Sequence, residues 1–333
     1  MRIGLAGAGR IGAFHAGILS RLPAVDSVVV ADADGARASE VAGRLGLEAA
    51  DSPQHLLGSG LDALVIAAPT QAHPELIVAG TEAGLPVFCE KPVAPDIDST
   101  REVIKRVGGA AGAVKIGFQR RFDAGYLTAR EAVRSGALGW VHTLRATTLD
   151  PAPPAPAYIE TSGGLFRDCG VHDFDAIRWV TGREVREVYA VGANRGADFF
   201  GAAGDVDTMA AVLTLDDDSL AVVSSTRYNG AGYDVRLEVL GSRDSISAGL
   251  GDRLPLRSAE PGATFPAGPP YPRFIERFAD AYRAELAAFV DLAAHGGQSP
   301  CTMGDALEAF CIAEACELSR ARHAPVHVAE IRR

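Results

Sequence analysis

Basic residues are in deficit. The chain has 32 Lys and Arg against 42 Asp and Glu, a formal net charge of −10. A surface of that sign repels nucleic-acid backbones and anionic lipid headgroups, which disfavours a general binder of either. A local basic pocket is not excluded. Long apolar runs are also missing, and no stretch reaches the roughly 20 residues that cross a bilayer. Met1-Arg2 leads directly into a strand, with no hydrophobic signal core, so no targeting segment is expected. Cys89, Cys169, Cys301, Cys311 and Cys316 are odd in number and scattered, and no Cys-x-x-Cys pair occurs. That pattern argues against a disulfide framework or a metal site and for a reduced, cytoplasmic protein. Low-complexity tracts and internal repeats are absent too.

The 333 residues, 47% hydrophobic and 22% charged, suffice for two domains with sizeable cores. The most informative stretch is Gly7-Ala8-Gly9-Arg10-Ile11-Gly12, between the apolar run Ile3-Gly4-Leu5-Ala6 and a predicted helix. Gly7 permits a tight turn, Gly9 lets a pyrophosphate approach the backbone, and Gly12 lets helix and strand pack closely. The helix N-terminus offers free N–H groups to the phosphates. Alone, in a chain with 37 glycines, the motif reads equally as a flexible turn. Asp32 changes the balance. It ends the strand 26–31, 20 residues beyond Gly12, where a second strand delivers a carboxylate to the adenosine ribose. This favours NAD over NADP, with Arg37 as a cation able to face a 2′-phosphate. The plain structural role for Asp32 is an N-cap of the helix over 35–45.

Strands at 63–68, 86–89 and 113–118 alternate with helices at 72–83 and 97–107, predicting a parallel, doubly wound sheet. Ligands bind at the carboxyl ends of such strands, where Gly7, Asp32, Thr70 and Lys91 fall. Lys91 is followed by Pro92 and set among apolar residues, so it reads as an ammonium that donates to a substrate oxygen. The Lys91-Pro92 bond is a candidate cis peptide.

After Phe118 the pattern changes. A helix over 124–135 precedes a strand over 140–149 and a proline-rich loop. A helix is predicted over 165–181, with Asp168 and His172 on one face and Asp175 one turn on. A carboxylate beside an imidazole suits a general base near neutral pH. On this segment alone a structural pair on an exposed helix is equally expected, and Asp173 and Asp175 read equally as solvated groups. Strands at 187–193, 207–215, 220–228, 234–240 and 245–248, joined by short turns, predict an α+β domain with a large, mostly antiparallel, open sheet that invites oligomerisation. A loop over 254–272 and amphipathic helices over 273–294 and 304–321 complete the chain.

These motifs in this order resemble the Gfo/Idh/MocA oxidoreductase family over nearly the whole length: Gly7 to Gly12, Glu90-Lys91-Pro92, then Gly163-Gly164 with Asp168 and His172. Within it the chain is most similar to inositol 2-dehydrogenases. That likeness rests on Asp150-Pro151-Ala152-Pro153-Pro154, Tyr158-Ile159, the run Ser162 to Asp168, His172-Asp173-Phe174-Asp175 and Gly232-Tyr233-Asp234-Val235-Arg236. The resemblance implies a Rossmann domain over 1–118, and a substrate and oligomerisation domain over 119–333 whose helix 304–321 packs back on the first. It implies Lys91, Asp168 and His172 as catalytic residues, with His172 the base. Gly7, Gly9, Arg10, Ile11, Gly12, Asp32, Thr70, His73, Glu90, Lys91 and Gln119 are implied on the NAD side. Lys91, Arg120, Asp150, Asp168, His172 and Tyr233 are implied on the substrate side. Gln119 stands where inositol dehydrogenases often carry methionine. The implied activity is NAD-dependent oxidation of a cyclic polyol, myo-inositol first, by a homotetramer with no metal; the alternatives are a dehydrogenase of another inositol isomer or sugar and a non-catalytic NAD(H)-binding sensor.

Overall fold

A computed structural model describes residues 1–264, 266 and 268–332. Phe265 and Ala267 of the expected loop, and Arg333 at the end of the expected second domain, lie outside the described residues. The chain divides into two compact units, Met1–Gln119 with Asp280–Leu307, and Arg120–Ala279 with Glu308–Arg333.

The first unit holds a six-stranded sheet, all parallel, ordered β3-β2-β1-β4-β5-β6. The strands are β1 Arg2–Ala6, β2 Ser27–Ala31, β3 Glu48–Ala49, β4 Ala63–Ile66, β5 Val87–Glu90 and β6 Val114–Gly117. Helices α1 Arg10–Leu19, α2 Gly35–Leu45, α3 Pro53–Leu57, α4 His73–Glu82 and α5 Ile97–Val107 fill the connections. Ala63 to Ile66 are all fully buried, as strands covered on both faces require. The short β3 gave no signal in the sequence, because two exposed residues make no periodicity. Strand order reverses between β1 and β4, the point where such sheets open a ligand crevice.

The later segment of this unit carries the helix Ala279–His295, whose Leu286, Phe289 and Val290 join a core with Ile3, Leu5 and Phe88. The rings of Phe88 and Phe289 lie 5.7 Å apart. The piece of the second half that folds with the first runs from Asp280 to Leu307 and so takes in this helix and the start of the one expected over 304–321. The physical reason is the apolar stripe at Leu286, Phe289 and Val290, each side chain worth roughly 1.5–3 kcal/mol when buried. The predicted single helix over 273–294 is in fact two, Phe274–Arg277 and Ala279–His295.

The second unit is built on a seven-stranded sheet ordered β12-β11-β7-β10-β9-β8-β13. Its strands are β7 Val141–Leu149, β8 Val185–Ala193, β9 Thr208–Leu215, β10 Leu220–Thr226, β11 Asp234–Gly241, β12 Ser245–Ala248 and β13 Val326–His327. Among the described residues of this sheet, the β7–β10 pair alone is parallel. Helices α6 Ala124–Arg134, α7 Pro156–Ser162 and α8 Val171–Thr181 lie in this unit, and α8 packs on β7 and α6.

The helix expected over 165–181 begins instead as a π-helical turn, Phe166–Gly170, and becomes α-helical at Val171. Asp173 and Asp175 are not solvated. Both are buried, Asp173 pairing with Arg120 at 2.5 Å and Asp175 with Arg121 at 2.6 Å. These pairs fasten α8 to the 3₁₀ turn Gln119–Phe122.

Candidate active site

The glycine turn is built as its sequence demands. Gly7 has φ +104°, and a Cβ there would lie 2.5 Å from the Ala67 and Ala68 backbone. At Gly12 a Cβ would meet the Gly7 carbonyl oxygen at 1.8 Å, so only glycine closes this turn. Around Gly9 nothing lies within 4 Å of an added Cβ. Gly9 caps α1 without a side-chain hydrogen bond, and the first turn, Arg10 to Gly12, holds no acidic residue. The N-terminus of this helix and the bare backbone at Gly9 fit a pyrophosphate.

Asp32 closes the turn from the side. Its Oδ2 accepts the Ala8 N–H at 2.7 Å and its Oδ1 the Asp34 N–H at 2.9 Å, with Arg37 Nη1 3.5 Å away. It is not the N-cap of α2. Asp34 has that role, accepting from the Ala36 and Arg37 N–H groups.

The remaining residues expected on the cofactor side fall at the ends of β4, β5 and β6. Thr70 opens a 3₁₀ turn after β4. His73 lies in the interior. It is 1% exposed, and its ring nitrogens face the Pro92 and Ala68 carbonyls at 2.7 and 2.9 Å. Burial holds its pKa below the usual histidine value. Glu90, the last residue of β5, bonds the Nε2 of fully buried His15 at 2.6 Å, tying β5 to α1. Lys91 follows, half-buried, and its peptide bond to Pro92 is cis. Gln119 is buried at the start of its 3₁₀ turn.

In the second unit one sheet end gathers the substrate-side candidates. The parallel register pairs Leu149 of β7 with Thr226 of β10, so Asp150 and Arg227 leave the sheet side by side. Asp150 N–H donates to the Thr226 carbonyl at 2.9 Å. The antiparallel register of β11 sets Asp234 opposite Leu149 and brings Tyr233 to the same end. Above it lies the π turn with Asp168, entered through Gly163 and Gly164 at φ +82° and +92°. Leu165 N–H is held there by Asp205 Oδ1 at 2.9 Å.

Arg227 ties these pieces together. Its Nη1 donates to Asp150 Oδ2 at 2.8 Å and its Nη2 to Asp168 Oδ2 at 2.7 Å. Tyr158 of α7 donates its hydroxyl to the other oxygen, Asp168 Oδ1, at 2.9 Å. Burial raises the Asp150 pKa against the opposing pull of Arg227. It disfavours the Arg227 charge, but Cys169, Asp168 and Asp150 more than reverse that. Burial, then the Asp168 charge, hold the Tyr158 hydroxyl protonated. His172 stands one helical turn beyond Asp168 and is half-buried.

Arg120 is anchored within the second unit. It is 2% exposed, with Nη1 on Asp173 and Nη2 on Thr148 Oγ1 at 2.9 Å. Arg227 and Tyr158 were not foreseen as site residues. The available signal was a lone arginine closing an otherwise apolar and hydroxylic strand, Ala221 to Thr226. Lys91 belongs to the first unit, while Asp168 and His172 belong to the second. Among the described residues no group of three or more His, Cys, Asp or Glu is placed to hold a metal ion, and no helix is long and apolar enough to cross a membrane.

Residues 1–118 match the oxidoreductase family with an NAD-binding Rossmann fold, and 126–247 match the GFO/IDH/MocA C-terminal domain. The chain belongs to the Gfo/Idh/MocA oxidoreductase family. A myo-inositol dehydrogenase of Streptomyces leeuwenhoekii is 39% identical, the match covering 96% of this chain and 97% of that one. A myo-inositol 2-dehydrogenase of Thermotoga maritima is 37% identical, over 92% and 91% of the two chains. The crystal structure of scyllo-inositol dehydrogenase from Lactobacillus casei, with bound NAD(H) and scyllo-inositol, superposes with a TM-score of 0.88. It is 29% identical and covers 99% of each chain. The chain is thus an NAD-binding member of an oxidoreductase family.

Proposed function

We propose that this protein oxidises a ring CH–OH of a cyclic polyol with NAD, acting on myo-inositol and giving the 2-keto product. The observation that carries the reading is the substrate end of the second sheet. There Asp150, Arg227, Asp168 and Tyr158 form one hydrogen-bonded group, and His172 follows Asp168 by four residues at the start of α8. A ring of hydroxyls needs fixed carboxylate acceptors and charged donors, and this group supplies both. Relatives named for inositol oxidation over nearly the whole length support the same substrate class. When bound, NAD accepts the hydride from the carbinol carbon. His172 takes the hydroxyl proton, Asp168 orients the imidazole and stabilises it once protonated, and the Lys91 ammonium donates to the reacting oxygen. The carbon is oxidised as its C–H and O–H bonds break and C=O forms.

A second polyol has a specific argument, because the Lactobacillus casei structure holds scyllo-inositol, which differs in the geometry of one hydroxyl. The test is NAD reduction measured across inositol isomers and sugars. Turnover highest on myo-inositol is expected, with His172→Ala lowering kcat about 10²–10⁴-fold. Turnover on no polyol by a protein that binds NAD would overturn the reading. The assembly we propose is a homotetramer formed through the outer face of the seven-stranded sheet. The compartment is the reducing cytoplasm, in keeping with five free cysteines.

A further inference from the structure

We propose that Arg227 is a positioning residue for the oxidation, a two-pronged clamp that locks Asp150 and Asp168 into one unit. The inference rests on the function proposed above and assigns a role to a residue outside the lysine, aspartate and histidine of that mechanism. One guanidinium edge reaches two carboxylates from different elements, Asp150 at the end of β7 and Asp168 in the π turn. The arginine side chain is 4% exposed, and the carboxylates are 21% and 12% exposed. Two carboxylates this close and this dry repel, and without a cation between them one takes up a proton. Arg227 stands between them and favours the charged form of each.

The backbone around the clamp is fixed. Arg227 N–H donates to the Asp207 carbonyl at 2.8 Å, and the Asp150 carbonyl accepts from Asn229 N–H at 2.7 Å. The contacts on Asp150 from Arg227 and from the Cys169 thiol both fall on Oδ2, which leaves Oδ1 to accept a substrate hydroxyl. On Asp168, Arg227 holds Oδ2 and Tyr158 holds Oδ1, so the carboxylate plane is set from two sides. The ionisable groups around the clamp include Asp150, Asp168, Cys169, Tyr158 and Tyr233, with His172 four residues beyond Asp168. The Asp207 carboxylate is occupied by the Arg195 and Gly196 N–H groups. The clamp transmits order from the substrate-side carboxylate to the one beside His172. Binding of the polyol at Asp150 and orientation of the imidazole then become a single event.

The test compares wild type, Arg227→Met and Arg227→Lys. Removing the cation raises the pH at which the carboxylate pair gains a proton and at which His172 becomes neutral. Both effects move the acid limb of kcat/KM in the same direction. In Arg227→Met that limb is expected to move at least about one pH unit to higher pH. Its kcat should fall about 10²-fold, as for a misplaced catalytic group, and KM for the polyol should rise. Arg227→Lys keeps the charge but not the two-pronged geometry, so its acid limb stays near wild type while kcat stays low. Carbon-13 titration of the Asp150 and Asp168 carboxyls requires no turnover, and in Arg227→Met at least one should titrate above its wild-type midpoint. An NAD dissociation constant within about twofold of wild type excludes misfolding as the cause. An unmoved acid limb with unmoved carboxyl titrations in Arg227→Met overturns the clamp. Moved titrations in a protein whose wild type oxidises no polyol would instead overturn only the proposed substrate.

Discussion

Asp32 carries three tasks in one carboxylate. It accepts the Ala8 N–H, stiffening the glycine turn, accepts the Asp34 N–H at the end of β2, and faces Arg37 at 3.5 Å. A ribose 2′-hydroxyl can donate to it, whereas a 2′-phosphate meets its charge. Asp32→Ala should therefore bring the kcat/KM values for NAD and NADP within about tenfold, chiefly by improving NADP, because Arg37 loses one acid partner and keeps Asp34. The activity with NAD should fall as well, since the Ala8 amide loses its acceptor. If wild type already prefers NADP, this account of Asp32 fails. The residue was readable from its distance to Gly12, because strand, turn and ribose fix that spacing within a single chain segment. Arg227 was not readable in this way. Its partners lie 77 and 59 residues away, and only strand register brings them together. Asp173 and Asp175 misled for a related reason: the arginines that pair with them lie more than fifty residues upstream, and local periodicity assigns no partner to a charged residue.

Elements were legible where one period ran unbroken. The βα alternation of the first unit, the strands of the second and the amphipathic helices all follow from it. The π turn did not, since the extra residue in a wide turn leaves the apolar spacing almost unchanged. The return of helix Ala279–His295 to the first sheet was missed because two neighbouring helices carried similar stripes. A polar pair inside that packing gives a test. Lys115 of β6 is fully buried, and its ammonium donates to the Glu285 carbonyl at 2.5 Å. Burial lowers its pKa to about 8, opposed by the charge of the equally buried Glu285. Between pH 8 and the ordinary lysine value the unfolded chain binds this proton more tightly than the folded one. Stability from this group therefore rises with pH across that window, and below it the folded state bears the full cost of a buried cation. In urea unfolding, wild type should gain stability relative to Lys115→Met/Glu285→Leu on going from about pH 7 to 9.5. Lys115→Met alone leaves Glu285 without that cation and should cost about 3–5 kcal/mol at neutral pH. Equal stability of the single and double variants, with no relative change with pH, would show that the pair does not interact.

At the scale of the whole molecule, the outer face of the seven-stranded sheet is its least self-sufficient surface. Register places Tyr189 of β8 beside Val212 of β9, and Val212 beside Val222 of β10. These three are 42%, 43% and 41% exposed, and Val191 and Leu220 extend the patch. Next in the row, Arg145 of β7 pairs with Glu238 of β11 at 3.2 Å, so the apolar surface ends on a charged border. An apolar centre with a charged rim is the make-up of a protein interface, and a self-complementary sheet face suits symmetric pairing of copies. Wild type should therefore run as an assembly of copies, the tetramer proposed above if a second interface joins such pairs, in light-scattering chromatography. Val212→Glu places a charge at the centre of the row, where the folded protomer has room for it, and should yield smaller species with an unchanged far-ultraviolet spectrum. The charge would be buried against apolar side chains in the assembled form, so dissociation should deepen with rising pH as the carboxyl ionises. Val212→Gln adds a similar bulk without the charge and should dissociate less, and independently of pH. A tetramer that survives Val212→Glu, or a wild type that is monomeric at micromolar concentration, would remove this face as the assembly surface. The sheet end with Asp150, Arg227 and Asp168 would be untouched by either result.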